Sequence, residues 1–235
     1  MFAKAMKITL LVALLFVFSS FAKAQDSFRM MPPLSLLLNP KAVPKTPKKS
    51  QLLEYLVSCA LPQGVELKTD TGDGAQRFSG SLGLAPNWLN RGLTTSEQPW
   101  VSACILARTN LFGKRIEISM RALDPAPAGL LAPKKEWEEF IIHEGAFFGN
   151  IFASKPRAFA CLGKTTPRQS VDPVLQKRVC AQPSGSLLPS GEKATRCGFA
   201  YVGSCKELEH IAPDASGYTE VIHTYLRPTE SPDNN

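Results

Sequence analysis

Apolar positions between residues 96 and 110, SEQPWVSACILARTN, recur at helical spacing, with Trp100, Ala103, Cys104 and Ala107 at i, i+3, i+4 and i+7. The stripe predicts a central helix that begins after Ser96 and ends between Asn110 and Gly113. Pro99 is tolerated there because first-turn N–H groups lack helical partners. Residues 50–61, SQLLEYLVSCAL, repeat the design, with Leu52, Leu56 and Cys59 on one face, Ser50 as N-cap and Pro62 as the stop. Each helix therefore carries one cysteine on its apolar side.

Strand signals fill the space between and after them. Residues 65–69 and 75–82 flank Thr71-Gly72-Asp73-Gly74 and read as a hairpin. Residues 84–92 read as a short helical turn with Trp88 inward. In residues 114–123, KRIEISMRAL, Ile116, Ile118 and Met120 alternate with Arg115, Glu117, Ser119 and Arg121, which predicts a half-buried strand with the apolar set inward. A proline-rich loop follows over 124–133. Residues 140–152, FIIHEGAFFGNIF, are the most apolar stretch after the leader, and Gly145 and Gly149 mark a bulge, a bend or a close backbone approach. Residues 157–162 read as another short strand. Residues 218–226, YTEVIHTYL, form a last one, with Val221 and His223 on one face and Ile222 and Thr224 on the other. Between them, 163–216 are rich in proline, serine and glycine and read as irregular, held by bridges over the strands beneath.

Composition changes the picture at the N-terminus. Lys4 and Lys7 precede an apolar run over 8–21, and Ala22-Lys23-Ala24 supplies small residues for cleavage, so 1–24 read as a signal peptide cut near Ala24. The run is shorter than the about 20 residues that a spanning helix needs, so the mature chain is expected not to be transmembrane. Residues 25–49 are a Pro/Lys-rich linker, and 228–235 a frayed tail. The formal net charge is +7. Loss of Lys4, Lys7 and Lys23 lowers Lys+Arg from 27 to 24 against 20 Asp+Glu, or +4. Lys41, Lys45, Lys48 and Lys49 sit in the linker, so the folded part is nearly neutral and gives no case for nucleic acid.

All six cysteines (Cys59, Cys104, Cys161, Cys180, Cys197 and Cys205) follow the leader. An even count behind a signal peptide points to disulfides and to a periplasmic or secreted location. A Cys59–Cys104 bridge would close a loop of about 46 residues and stabilise by roughly 4 kcal/mol. The competing reading, a thiolate nucleophile, needs a lowered pKa that apolar mid-helix positions oppose. The other four are expected to pair among themselves, Cys197 with Cys205 by proximity.

Catalytic signatures are sparse. His143, His210 and His223 lack the i, i+4 spacing of a helical zinc site, since His143-Glu144 is followed by Gly-Ala-Phe. The stretch Ser79-Gly80-Ser81-Leu82-Gly83 is not a G-x-S-x-G elbow, and no phosphate-cradling glycine loop occurs, so no cofactor is expected. Glu136, Glu138 and Glu139 beside Trp137 suit carboxylate chemistry or sugar stacking, or a solvated turn with Lys134 and Lys135.

The runs EYLVSCALPQG, WVSACILARTNLFG, EGAFFGNIF and FACLG, with the ending YTEVIHTYL, resemble a family of exported bacterial proteins without an assigned activity. The resemblance spans roughly residues 52–163 and implies an exported domain with cysteines, with no catalytic residue or ligand to transfer.

The expected fold is a single α+β domain over 50–227, a small mainly antiparallel sheet on two disulfide-linked helices with an irregular bridged C-terminal part. The expected function is a non-catalytic module that binds an envelope or extracellular protein. The alternative is a secreted hydrolase with His143 and Glu144 as general base and orienter.

Overall fold

A computed structural model describes residues 47–70, 75–110, 116–123, 126–164, 180–206 and 217–228. The expected signal peptide, most of the linker, the 71–74 turn, Arg115, His210 and the tail from 229 lie outside them.

Helix α1 spans Pro47–Ala60 and buries Leu53, Leu56, Val57, Cys59 and Ala60. It starts three residues before the Ser50 cap read from sequence. Proline suits a first helical turn because its φ is already helical and its missing N–H has no partner to lose. The hairpin follows as β1 (Glu66–Asp70) and β2 (Ala75–Ser79), paired antiparallel. Short α2 (Trp88–Arg91) buries Trp88 completely. Helix α3 (Glu97–Arg108) begins where the Glu97 carboxylate accepts from the Thr94 N–H at 2.9 Å and its hydroxyl at 2.8 Å. That is the reach-back arm of a capping box. Every residue from Val101 to Ala107 is buried. The helix is therefore covered all round, more deeply than its single stripe implies.

A sheet of seven strands in the order β3-β9-β4-β5-β8-β7-β6 carries the rest. The strands are β3 (Ser119–Arg121), β4 (Ile142–Asn150), β5 (Arg157–Leu162), β6 (Pro183–Leu187), β7 (Lys193–Thr195), β8 (Ala200–Ser204) and β9 (Ile222–Leu226). All neighbours run antiparallel except β5 and β8. Helix α3 packs on β4 and β9, and α1 packs on α3 and β2.

The sheet is thus larger than the small one expected. The reason lies in the stretch read as irregular, whose described part holds β6, β7 and β8. PSGSL and KAT are poor strand formers and AYVGS has only Tyr201 and Val202 in its favour, so strand formation there follows chiefly from pairing to neighbours. A second correction concerns the proline-rich loop, which contains a 3₁₀ turn at Ala128–Leu130 with Leu130 buried.

Three disulfides join Cys59 to Cys104, Cys161 to Cys205 and Cys180 to Cys197. The first links α1 to α3. Cys197 and Cys205 are not bonded to each other, contrary to the proximity argument. Strand β8 lies between them and runs parallel to β5 with Leu162 opposite Ser204, which sets Cys205 beside Cys161.

Replacing Cys59 and Cys104 together by alanine is expected to lower unfolding free energy by about 4 kcal/mol in the chain-entropy model, read as a lower urea midpoint. An unchanged midpoint would deny the bridge a role in stability.

Candidate functional site

The two faces of β9 differ. Ile222, Thr224 and Leu226 are buried, while His223 and Tyr225 are half-buried on the other side. Register places Arg121 opposite His223, Ser119 opposite Tyr225, and His143 opposite Tyr225. These residues therefore share one face at the β3 end of the sheet.

Here the strand read over 114–123 is corrected twice. Among its described residues, 116–123, only Ser119–Arg121 is strand, and the buried side is the polar one: Ser119 and Arg121 are 1% and 4% exposed, whereas Met120 is half-buried. Tertiary partners reverse the polarity rule. The Arg121 guanidinium lies 3.9 Å from the Trp137 ring centroid and 4.2 Å from that of Tyr225, in the corner between two rings whose centroids are 6.3 Å apart and whose planes are tilted by 48°. It donates from Nε to Ser119 Oγ at 2.8 Å, and from Nη2 to the carbonyls of Glu136 at 3.0 Å and Phe140 at 2.8 Å. Those carbonyls close the short helix α4 (Lys134–Glu139), so the cation sits where carbonyls need donors. Burial nevertheless pulls its pKa down, against the neighbouring Tyr225 and Glu136, which push it up.

Trp137 is fixed from two sides. One ring face rests on Arg121, and its Nε1 donates to the Ala132 carbonyl at 3.1 Å. Yet the residue is 52% exposed. Glu136, Glu138 and Glu139 do not converge on it as a catalytic cluster. Glu138 pairs with Lys134 and Glu139 with Lys135 at helical i, i+4 spacing, the solvated arrangement.

Behind Tyr225 stands His143, its ring stacked at 4.8 Å and 25°. His143 Nε2 lies 3.1 Å from His223 Nδ1, so one imidazole donates to the other. Burial pushes His143 down, and the nearby Arg121 adds to this, against the Gly145 backbone and the Glu144 charge, which push it up. His223 is pushed down to about 4, first by burial and then by His143. Both rings are therefore neutral near pH 7. With the proton on His223 Nδ1, that ring is the donor in the pair. His223 Nε2 is buried without a hydrogen-bond partner, and in that tautomer it is a bare lone pair rather than an orphaned N–H, the less costly outcome.

Glu144 is buried in a register shift of β4 between His143 and Gly145, the bulge anticipated at this glycine. The local backbone is crowded. A Cβ on Gly145 would collide with Cys161 O and Ala181 Cβ, and one on Gly163 with His143 O. Gly163 N–H also donates to Glu144 O at 2.9 Å. His143 and Glu144 thus sit as sequence neighbours in a packed bulge, and the imidazole hydrogen-bonds to a second imidazole instead of a hydroxyl or thiol. The six cysteines lie in bridges. No group of three or more His, Cys, Asp or Glu among the described residues is placed to hold a metal ion.

The functional reading from sequence missed Arg121, and it missed Tyr225 as the plate between Arg121 and His143. One signal was available: Ser119 and Arg121 fall two apart on a strand whose apolar set includes the flexible Met120. The chain matches no protein-family model, no curated protein and no solved structure.

Two outcomes follow. In a double-mutant cycle of Arg121→Met and Trp137→Leu, unfolding free energies should couple by on the order of 1 kcal/mol, and additivity would remove the cation–ring packing as a stabilising contact. The histidines set a pH dependence. An unfolded imidazole titrates near 6.5, so below that pH the unfolded chain takes up a proton that folded His223 refuses until about pH 4. Stability should be full above pH 6.5 and fall through that window, on the order of 2 kcal/mol for His223. Urea midpoints at pH 7.5 and 4.5 test it: His223→Gln should shrink the drop, and an equal drop in both chains would contradict the assignment.

Proposed function

We propose that this chain is an exported, disulfide-braced binding module that meets an envelope or extracellular protein partner through the surface around Trp137. One observation carries the reading: a large indole is locked in orientation by a buried guanidinium and a backbone carbonyl, yet half of it faces solvent. Rigid, half-exposed aromatic side chains lose little conformational entropy on binding, which is why tryptophan is enriched among residues that dominate interfaces. Leu123, Leu131 and Ile141 are also exposed, and Leu123 and Ile141 lie close in the chain to Arg121 and Phe140, which a hydrogen bond joins; exposed apolar surface on a folded domain is what a contact site offers.

Export belongs to the same proposal. Three disulfides fit an oxidising compartment, and no helix among the described residues is long and apolar enough to cross a membrane. The leader over 1–24 supplies the route. In this reading, α1 and α3, joined through Cys59 and Cys104, form the brace behind the sheet.

The hydrolase alternative has less support. A general base must reach the proton that it removes, and His143 instead spends its ring on His223 and Tyr225. The same burial that holds it neutral also weakens it as a base.

Sedimentation with bacterial envelope fragments tests the reading. The oxidised chain should pellet with the fragments, and Trp137→Ala and Leu123→Ser should leave it in the supernatant. Leu187→Ser, which removes an exposed apolar side chain at the opposite sheet edge, should pellet like the parent. Equal pelleting by all four chains, or by none, would overturn the proposal.

A further inference from the structure

Cys59–Cys104 joins two cysteines that are neighbours in the sequence order, 45 positions apart. The other two bridges are nested. Cys180–Cys197, with a separation of 17, lies inside the loop closed by Cys161–Cys205, with a separation of 44. Neighbours in that group would pair differently, Cys161 with Cys180 and Cys197 with Cys205, 19 and 8 positions apart. In an unfolded chain the odds of closing a loop fall roughly as the 3/2 power of its length. Cys205 therefore meets Cys197 about tenfold more often than it meets Cys161, and Cys197 meets Cys205 about threefold more often than Cys180. Residues 198–204, GFAYVGS, hold two glycines and no proline, so this short loop closes freely, whereas Pro183 and Pro189 stand between Cys180 and Cys197.

The folded sheet excludes the bond that forms most readily. Cys197 sits in the turn between β7 and β8, where Thr195 N–H donates to Phe199 O at 2.7 Å, and Cys205 follows the far end of β8. The five residues of that strand span about 13 Å, and bonded cysteines need Cα atoms within about 7 Å of each other. Strand β8 and a Cys197–Cys205 bond are therefore alternatives. The four sulfurs have little distance to cross in changing partners. A Cβ on Gly145 would lie 2.6 Å from both Ala181 Cβ and Cys161 O, so the residue after Cys180 already packs beside Cys161.

We infer that this chain is a substrate of a thiol–disulfide isomerase, a catalyst whose thiolate opens a Cys197–Cys205 bond and lets β8 form. That thiolate attacks Cys197 Sγ, a mixed disulfide forms, and Cys205 leaves as a thiolate. Cys205 attacks Cys161 Sγ, which closes Cys161–Cys205 and releases Cys180 from its bond to Cys161. Cys180 then attacks Cys197 Sγ, which closes Cys180–Cys197 and frees the catalyst. Each exchange breaks one S–S bond and forms one, so two bridges remain two and no oxidant is consumed. The inference takes from the proposed function only its oxidising compartment and is independent of the Trp137 surface.

Reoxidation of the reduced, unfolded full chain tests it. Diamide converts thiols to disulfides and leaves none to drive exchange. Samples are quenched with N-ethylmaleimide, cut with trypsin and weighed. Trypsin leaves Cys197 and Cys205 in one peptide, 197–206, so the neighbour bond is a ring within it, whereas the native bonds tie it to peptides 158–164 and 179–193 together. Chymotryptic cleavage after Phe199 or Tyr201 then assigns each half. Early samples should carry the ring about threefold more often than the Cys180–Cys197 bond. With diamide alone the ring should persist, and a purified protein disulfide isomerase with reduced glutathione should replace it by the native set. The double variant Cys161→Ser, Cys205→Ser keeps only bridges between sequence neighbours and should form them equally well with and without the isomerase. Absence of the ring at all times, complete native pairing with diamide alone, a ring that survives the isomerase, or isomerase dependence in the double variant would each refute the inference.

Discussion

A guanidinium buried between two aromatic rings is the constraint on which the site depends. Arg121 gives up hydration and recovers it through three neutral acceptors and the faces of Trp137 and Tyr225. Each contact fixes something else. Hydrogen bonds to Glu136 and Phe140 pin the end of a helix only six residues long, which would be marginal alone. Stacking on Trp137 sets the indole, and stacking on Tyr225 sets the plate against which His143 lies. A single buried cation thus organises an exposed aromatic surface in front and a neutral histidine pair behind.

That arrangement separates two roles that the sequence leaves mixed. The histidines look like chemistry because imidazole is the common base, but here they form the back of a column, and burial lowers both, His223 to about 4. The indole looks like surface decoration on a charged turn, yet it is held by a cation on its face and a hydrogen bond at its Nε1 while half exposed. Ligand contact requires the second property more than the first.

How much of this could be read from residues alone depends on the range of the cause. Periodic stripes gave the two cysteine helices, the hairpin, the Arg157–Leu162 strand and the inward Trp88, because local spacing decides them. The division of the last strand into two faces was also legible, Ile222 and Thr224 on one and His223 on the other, while which face is buried is set by the helix packed on it. The burial of Arg121 was not, because it is caused by Trp137 and by Tyr225 more than a hundred positions away. Strands in the Ser/Gly/Pro-rich part escaped for a similar reason: pairing and the Cys161–Cys205 bridge recruit them, while their own propensity offers little. His143 could be named as a candidate, but its partner His223 lies across a strand pairing that no local pattern reveals.

Fluorine NMR relaxation of the chain labelled with 5-fluorotryptophan measures the anchoring of the indole directly. Three resonances are expected, from Trp88, Trp100 and Trp137, assigned by single Trp→Phe replacements. If Arg121 clamps Trp137 as described, its resonance relaxes with the overall tumbling of the domain, as that of fully buried Trp88 does. Arg121→Met would then release it into fast local motion. A Trp137 resonance already narrowed by independent motion in the parent chain would contradict the account.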